Sequence, residues 1–572
     1  MLIFNKKKMK KIFLYSSIVL TAFISSCREI DDNISPNNVD PSEISPRQTL
    51  TAAENLVMAA QAGTMNSLSN VWTNTWAGNY YYFGNPLTRE YSLDISNTFG
   101  TGIWTSSYNA ANNLQGIIDK GASLPLHSAI ARILKSYQLQ YVVDFYGDAP
   151  YSEAFKGQNN LTPKYDDDAT IYRALVEEIN KAIADIDATV QNGDNVVTSQ
   201  EDIIFGGDMA SWKKFAKNVK LKILLRQSKV TTASVKSFVD AQLQSLGTAN
   251  PNDFYLADVT INPGYSNKNS ATPNPLFNNY GSVNFQGSAL NINGWRLYKA
   301  SQYYANSVNG TSYGIASRDL RGTQMFRRLS TSNAQQPASS VTGIRQGGAK
   351  PAGSTEWQYS FIGWKFIGSQ WNGNLPSPTP PTASPATGQN PDESNNLIYG
   401  MLNGDTSAGA KIAEIGAAMD GYLALGAENK LLLAEAAVLY PQYFTFNAQT
   451  QYNAAITDSY QFYGLTVAQA TAYINNINTT SVGWNLSSDK IAAIQFQRFA
   501  SLANLRQVET YINFLKTGYP VITNADNAIY PNKPYRLIYP VSEYTGNSSN
   551  VPNINQAQVF VKNQFTPFWN QN

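Results

Sequence analysis

The sequence predicts a mainly α-helical protein whose helices pair antiparallel and flank a long irregular segment. Three observations predict this. Ile130, Leu134, Tyr137 and Tyr141 recur at spacings of four, three and four, which puts them on one helix face. Trp212, Phe215, Val219 and Ile223 repeat the pattern, with Lys213, Lys214, Lys217, Lys220 and Lys222 assigned to the solvent side of the same helix. Residues 245–410, by contrast, are rich in Gly, Asn, Ser, Thr and Pro, and 371–396 is of low complexity. A strict 34-residue helix-pair repeat is not legible, so periodicity establishes helices but not their superhelical order.

At the N-terminus, Lys6, Lys7, Lys8, Lys10 and Lys11 precede a hydrophobic run from Ile12 to Phe23. Ile24, Ser25 and Ser26 then lead to Cys27. A basic start, a short apolar run and small residues at the cut predict a secretory signal peptide over residues 1–26. About 12 apolar residues are too few to cross a ~30 Å hydrocarbon layer. Met9 offers a second start for the same signal. Cys27 is the sole cysteine of 572 residues, which leaves no disulfide within the chain. Its place behind small residues resembles a bacterial lipobox, and the resemblance implies lipidation of its thiol. Two or three acyl chains, at about 0.8 kcal/mol per buried methylene, anchor durably where one does not. No later segment reaches 18 consecutive apolar residues, so the anchor is the only membrane contact expected.

Residues 27–48 read as the lipidated cysteine and a flexible tether, polar and broken by Pro36, Pro41 and Pro46. Residues 49–572 read as a single domain, with a helical scaffold over about 49–245 and 410–520. A loop-rich face spans about 245–410 plus 70–100. Order is expected to start at Thr51, where Thr51 and Glu54 fit a capping box. Further helices are expected near 104–120, 168–190, 418–440, 450–461 and 488–516, with loops to the end.

Composition removes several functions. Without the five lysines of residues 1–26 the formal charge turns from +2 to slightly negative, which argues against a nucleic-acid partner. His127 is the only histidine. Multi-histidine metal sites are therefore excluded by count, and His127 is read as a capping or surface residue. Gly310-Thr-Ser-Tyr-Gly314 matches a nucleophile elbow in pattern, yet no histidine follows it. No phosphate-binding loop occurs. No catalytic residue, cofactor or metal is expected. The acidic run Asp166-Asp167-Asp168 is read as a helix N-cap, with calcium binding as the alternative. Tyrosine, at 34 residues, outnumbers phenylalanine at 25, which suits half-exposed rings with a hydrated hydroxyl.

Several motifs in fixed order resemble the SusD/RagB family of outer-membrane nutrient-binding lipoproteins of Bacteroidetes. They are Tyr146-Gly-Asp-Ala-Pro-Tyr-Ser-Glu-Ala154, Pro163-Lys-Tyr-Asp166 and Gly207-Asp-Met-Ala-Ser-Trp-Lys-Lys-Phe215 running into Leu221-Lys-Ile-Leu-Leu-Arg226. Leu433-Ala-Glu-Ala436, Tyr452-Asn-Ala-Ala-Ile456, Lys516-Thr-Gly-Tyr-Pro520 and Pro534-Tyr-Arg-Leu-Ile-Tyr-Pro540 follow. The family's tryptophan-rich run before the Thr-Gly-Tyr-Pro element reads here as Tyr511-Ile-Asn-Phe514, and the likeness is weakest across 245–410. The resemblance implies tetratricopeptide-like helix pairs supporting a loop-rich ligand-binding face. It implies a non-catalytic lipoprotein of the cell surface, lipid-anchored in the outer membrane and facing the exterior. Such a protein captures oligosaccharides and delivers them to a SusC-like TonB-dependent transporter. A peptide-binding subunit of the same kind of complex is the first alternative, a lipid-anchored glycoside hydrolase the second and a purely structural barrel lid the third.

Sugar recognition favours aromatic rings against pyranose C–H faces, with charged forks bonding hydroxyls. Two clusters fit. The first is Trp72, Trp76, Tyr80, Tyr81, Tyr82, Arg89 and Tyr91, around the loop Gly78-Asn-Tyr-Tyr-Tyr-Phe-Gly-Asn-Pro86. Three consecutive tyrosines cannot share one face of a helix or strand, so at least one is expected to point outward. The second is Trp295, Arg296, Tyr298, Tyr303 and Tyr304, with Trp364 and Trp371 further on.

Overall fold

A computed structural model of the chain describes residues 45–328, 340–367 and 406–571. The expected signal peptide, Cys27, almost all of the tether, Trp371 and the low-complexity stretch lie outside the described residues. The fold is mainly helical, as expected. Its long helices are α1 (Pro46–Ala60), α2 (Gly102–Asp119), α3 (Pro125–Tyr146), α4 (Asp168–Ala188), α5 (Met209–Arg226) and α6 (Ala233–Leu246). After the irregular segment come α7 (Thr406–Ala417), α8 (Gly426–Leu439), α9 (Ala448–Phe462), α10 (Val467–Ile477), α11 (Lys490–Ser501) and α12 (Gln507–Thr517).

Helices neighbouring in sequence pack together: α1 on α2, α2 on α3, α3 on α4, α4 on α5. The second half repeats this with α8 on α9 and α9 on α10, and α5 touches α8. Short connections such as 120–124 force antiparallel neighbours, the tetratricopeptide-like arrangement. Helix α3 is the hub. Of its 22 residues, only Pro125 and Arg132 escape burial, so its apolar stripe understates how fully it is wrapped.

Helix α12 closes the N-terminal core from far along the chain. Tyr141 donates to Glu509 Oε1 at 2.5 Å, and Arg506 donates to Gln61 Oε1 at 2.7 Å. Trp76 Nε1 donates to Asn504 Oδ1 at 2.6 Å. Buried cations converge there: Lys222 lies 3.0 Å and Arg226 3.2 Å from Glu509. A second buried pairing joins Glu435 to Arg498 at 3.0 Å and Lys516 at 2.5 Å.

Some local expectations are overturned. Helix α1 starts at Pro46, whose fixed φ suits a first turn, so Thr51 sits inside the helix and bonds Glu201 O at 2.8 Å. Lys220 and Lys222 are buried because α5 is covered by α4, α6 and α8. Lys220 donates to Asn180 Oδ1 at 2.8 Å, and Lys222 joins the Glu509 cluster. His127 is fully buried, with Nε2 3.5 Å from Glu201 Oε2; burial lowers its pKa. The span 418–440 holds a strand, Gly421–Ala424, before α8. The span 488–516 breaks between α11 and α12, where Asn504 takes a left-handed φ of 71°.

Residues 245–410 carry only short elements up to Ile367. Two of three two-stranded ladders tie them to chain outside the segment, and the third lies within it. Strand β1 (Trp76–Gly78) pairs antiparallel with β3 (Tyr298–Ala300), β2 (Val259–Ile261) with β6 (Gly421–Ala424), and β4 (Phe326–Arg328) with β5 (Ser360–Ile362). Gly310 and Gly314, both left-handed, frame a single 3₁₀ turn. The elbow-like pattern is thus a loop.

Candidate functional site

The β1–β3 ladder brings the two aromatic clusters together. Gly78 faces Tyr298 in register, and an added Cβ at Gly78 would meet Pro86 Cγ at 2.7 Å. The chain therefore leaves β1 through a tight turn at Asn79. This buried side chain is the turn's anchor. Its Nδ2 donates to Arg296 O at 2.9 Å and Glu356 Oε1 at 2.8 Å, while its Oδ1 accepts from Tyr81 N at 3.2 Å. An Asn suits this because its amide can bond the backbone two residues on.

Beyond that anchor the tyrosines fan out. Tyr82 is 45 % exposed, and Tyr80 and Tyr81 are half-buried. The guanidinium of Arg296 lies 3.9 Å from the Tyr82 ring centroid and 5.7 Å from that of Trp357. Tyr81 packs 4.9 Å from Tyr80 and 5.3 Å from Tyr359, its hydroxyl bonded to Ser354 and Lys350 Nζ 4.7 Å from its ring. Burial, and then the neighbouring hydroxyls, push the Tyr80 phenol up, so it stays neutral.

Glu356 holds the platform. Its carboxylate accepts a fork from Arg296, at 3.0 Å from Nε and 2.8 Å from Nη2. Lys299, fully buried, lies 3.7 Å away. Burial raises the Glu356 pKa, but Arg296, Lys299 and Asn79 outweigh it and hold the group below the usual range. The fork consumes the charge of Arg296 and fixes its plane, leaving its π-face to the rings.

Other sequence candidates sit elsewhere. Trp72, Trp76 and Trp295 are buried, and their indole N–H groups donate to Glu90 O, Asn504 Oδ1 and Ile362 O. Trp295 stacks on Phe361 at 4.3 Å. These tryptophans are core, because each ring is large enough to fill a scaffold layer and each N–H finds an internal acceptor. Tyr298, also buried, packs tilted against Trp76, ring centroids 4.5 Å apart. Tyr91 and Tyr304 are buried too. Tyr303 is half-buried and donates to Val521 O at 2.7 Å. Arg89 braces residues 94–99, with Nη2 2.7 Å from Ser96 Oγ. Of the sequence candidates, Tyr80, Tyr81, Tyr82 and Arg296 share one surface.

Asn79, Lys350, Glu356, Trp357 and Tyr359 were not foreseen. Trp357 and Tyr359, two residues apart in a polar stretch, were a visible aromatic signal; the pairing of Glu356 with Arg296 had none. A second aromatic cleft, of about 770 Å³, is lined by Trp364, Tyr422, Phe462 and Tyr463, with Asp258 and Asp420 on its wall. Asp148, Asp167 and Asp168 each bring an oxygen within 4.8 Å of one another, the one such group among the described residues that could hold a cation. Asp167 caps α4 through Thr170 N at 2.9 Å, as expected. Burial pushes Asp168 up to about 7.

Helix pairs that carry a loop-built aromatic surface define a scaffold-and-face protein, in which the helices hold shape and irregular chain meets solvent. The family described as "Starch-binding associating with outer membrane", SusD-like, matches residues 36–340 and 396–540. The chain belongs to this family. A comparison with curated proteins returns no match. Among solved structures, a chitin-binding SusD homologue from Flavobacterium johnsoniae is similar at TM-score 0.61 and 18 % identity, over 91 % of this chain and 98 % of that one. A SusD homologue from Bacteroides fragilis gives 0.62 and 17 %, over 92 % and 100 %. One from Bacteroides vulgatus gives 0.63 and 16 %, over 91 % and 97 %. Identities this low establish the fold, and the motif-based resemblance to SusD/RagB proteins is borne out.

Proposed function

We propose that this protein is a non-catalytic surface lipoprotein that captures oligosaccharides on the Tyr80–Tyr82, Arg296, Trp357 and Tyr359 platform. It then hands them to a SusC-like TonB-dependent transporter, with Cys27 as its lipid anchor in the outer membrane and the platform facing the exterior. The observation that carries the reading is Tyr82. It is an exposed ring lying against the guanidinium of a half-buried, salt-bridged arginine. A free tyrosine loses entropy on stacking against a sugar; a braced one has already lost it. Starch and chitin oligosaccharides are the first ligands to try, since the family description and one structural relative name them.

Affinity electrophoresis in gels containing soluble starch or glycol chitin tests this. Retention should occur with at least one polysaccharide and fall in Tyr81→Ala and Tyr82→Ala. Saturable binding of oligopeptides with no polysaccharide retention would instead make it a peptide receptor. Release of reducing sugar by the purified protein would make it a hydrolase. The transporter is tested by copurification from membranes, where a large β-barrel protein should accompany the wild type.

A further inference from the structure

A cavity of about 530 Å³ opens where Gly518 ends α12 and the segment 531–535 folds back beside it. Its charged lining is Lys229, Lys516, Lys533 and Lys562, with no Asp or Glu among the lining residues. These four do not stand alike. Lys516 is already matched, its Nζ bonded to Glu435 Oε1 and to Leu225 O. Lys229 and Lys562 are exposed at the cavity's edge. Burial, and then the Lys229 charge, lower the Lys562 pKa, so the two ammonium groups feel each other.

Lys533 is the unusual one. It is 5 % exposed, and among the described residues its Nζ meets neither an acceptor nor a carboxylate. Burial alone pushes its pKa down to about 7. Its Nζ is not among the sealed polar atoms and so faces the cavity, yet a lysine this enclosed without a counter-charge is costly, and most proteins pair it or leave it out. An apolar residue would fill the same space without that cost. Lysine here instead offers three donors and a positive charge to whatever enters the cavity.

We infer that this cavity binds a compact oxyanion, the carboxylate or sulfate group of an acidic ligand, with Lys533 Nζ as central donor and Lys229 and Lys562 as flanking cations. The site is separate from the tyrosine platform and does not depend on what the platform binds. An arriving anion supplies the charge Lys533 lacks, and it is drawn in by the lysines at the rim. Binding also favours the protonated amine, so it takes up a proton and weakens as pH rises from about 6 to 9.

Calorimetry on the mature protein with sodium sulfate, D-galacturonate and neutral D-galactose tests the site. At least one anion should saturate a single site and galactose should not; the two anions distinguish a sulfate from a carboxylate preference. A charge-assisted hydrogen bond is worth about 1.5–3 kcal/mol, so Lys533→Met should weaken binding by about 10- to 100-fold. That variant removes a buried charge at similar volume and should melt no lower than wild type. If it fails to fold, the surface pair Lys229→Ala with Lys562→Ala replaces it, and several-fold weakening is expected. Absence of saturable anion binding, equal binding of galactose, or undiminished affinity in the folded variant would each overturn the inference.

Discussion

Tyr82 and Trp295 look alike in sequence, as aromatics in Gly- and Asn-rich stretches, yet they do opposite work. Tyr82 stands in solvent against Arg296, whereas Trp295 is buried against Phe361. Tyr82→Ala should leave the melting temperature unchanged. It should weaken ligand binding by about 0.5–1.5 kcal/mol, about two- to tenfold, in affinity electrophoresis. Trp295→Ala should destabilise by about 3–5 kcal/mol in denaturant unfolding, before any question of ligand arises. Equal loss of binding with equal loss of stability in both would remove the distinction. Sequence reasoning pointed to the three platform tyrosines because runs of tyrosine violate helix and strand periodicity, and to Arg296 because it stands among aromatics. It misplaced the tryptophans because a side chain's type says little about which way its helix, turn or strand faces. Asn79 and Glu356 were illegible, since their roles exist only once residues 277 positions apart meet.

Among the helices, periodicity located α2, α4 and α9 to within two residues at each end, the stripes over 130–141 and 212–223 fell inside α3 and α5, and the motif Lys516-Thr-Gly518 closed α12 at the expected glycine, with φ 80°. What periodicity could not show was which lysines turn inward, because α5 is amphipathic in composition but covered on several sides. The buried pairs that result make a pH prediction. Burial raises the Glu435 pKa, but Lys516 and Arg498 more than offset this and hold it at about 2. A carboxylate depressed in the folded state adds stability above its unfolded value, near 4.5, and that stability is lost as pH falls towards 2. Unfolding midpoints should therefore drop between pH 4.5 and 2. In Glu435→Gln this acid limb should flatten, and stability at neutral pH should fall by about 3–5 kcal/mol, because two buried cations lose their partner. An unchanged acid limb in the variant would assign the loss to other carboxylates.

For the molecule entire, anchoring and folding are predicted to be separable. Cys27→Ser should give a protein with native circular dichroism that appears in the soluble fraction after cell breakage. Retention of the variant in membranes would point to another attachment. A fragment of residues 46–420 should stay protease-sensitive, because it lacks the partners of Tyr141, Gln61 and Trp76. A protease-resistant fragment would show that the first half folds alone.

The closure of the N-terminal core by α12 has a consequence for the order of events in the cell. Tyr141 and Glu509 are 368 positions apart, and contacts of such span slow folding because the loop must close before the bond rewards it. A chain emerging from the ribosome cannot complete its hub until nearly all of it has been made. For the exported lipoprotein proposed above, late completion would keep the polypeptide threadable through an export channel, with compaction deferred to the far side of the membrane.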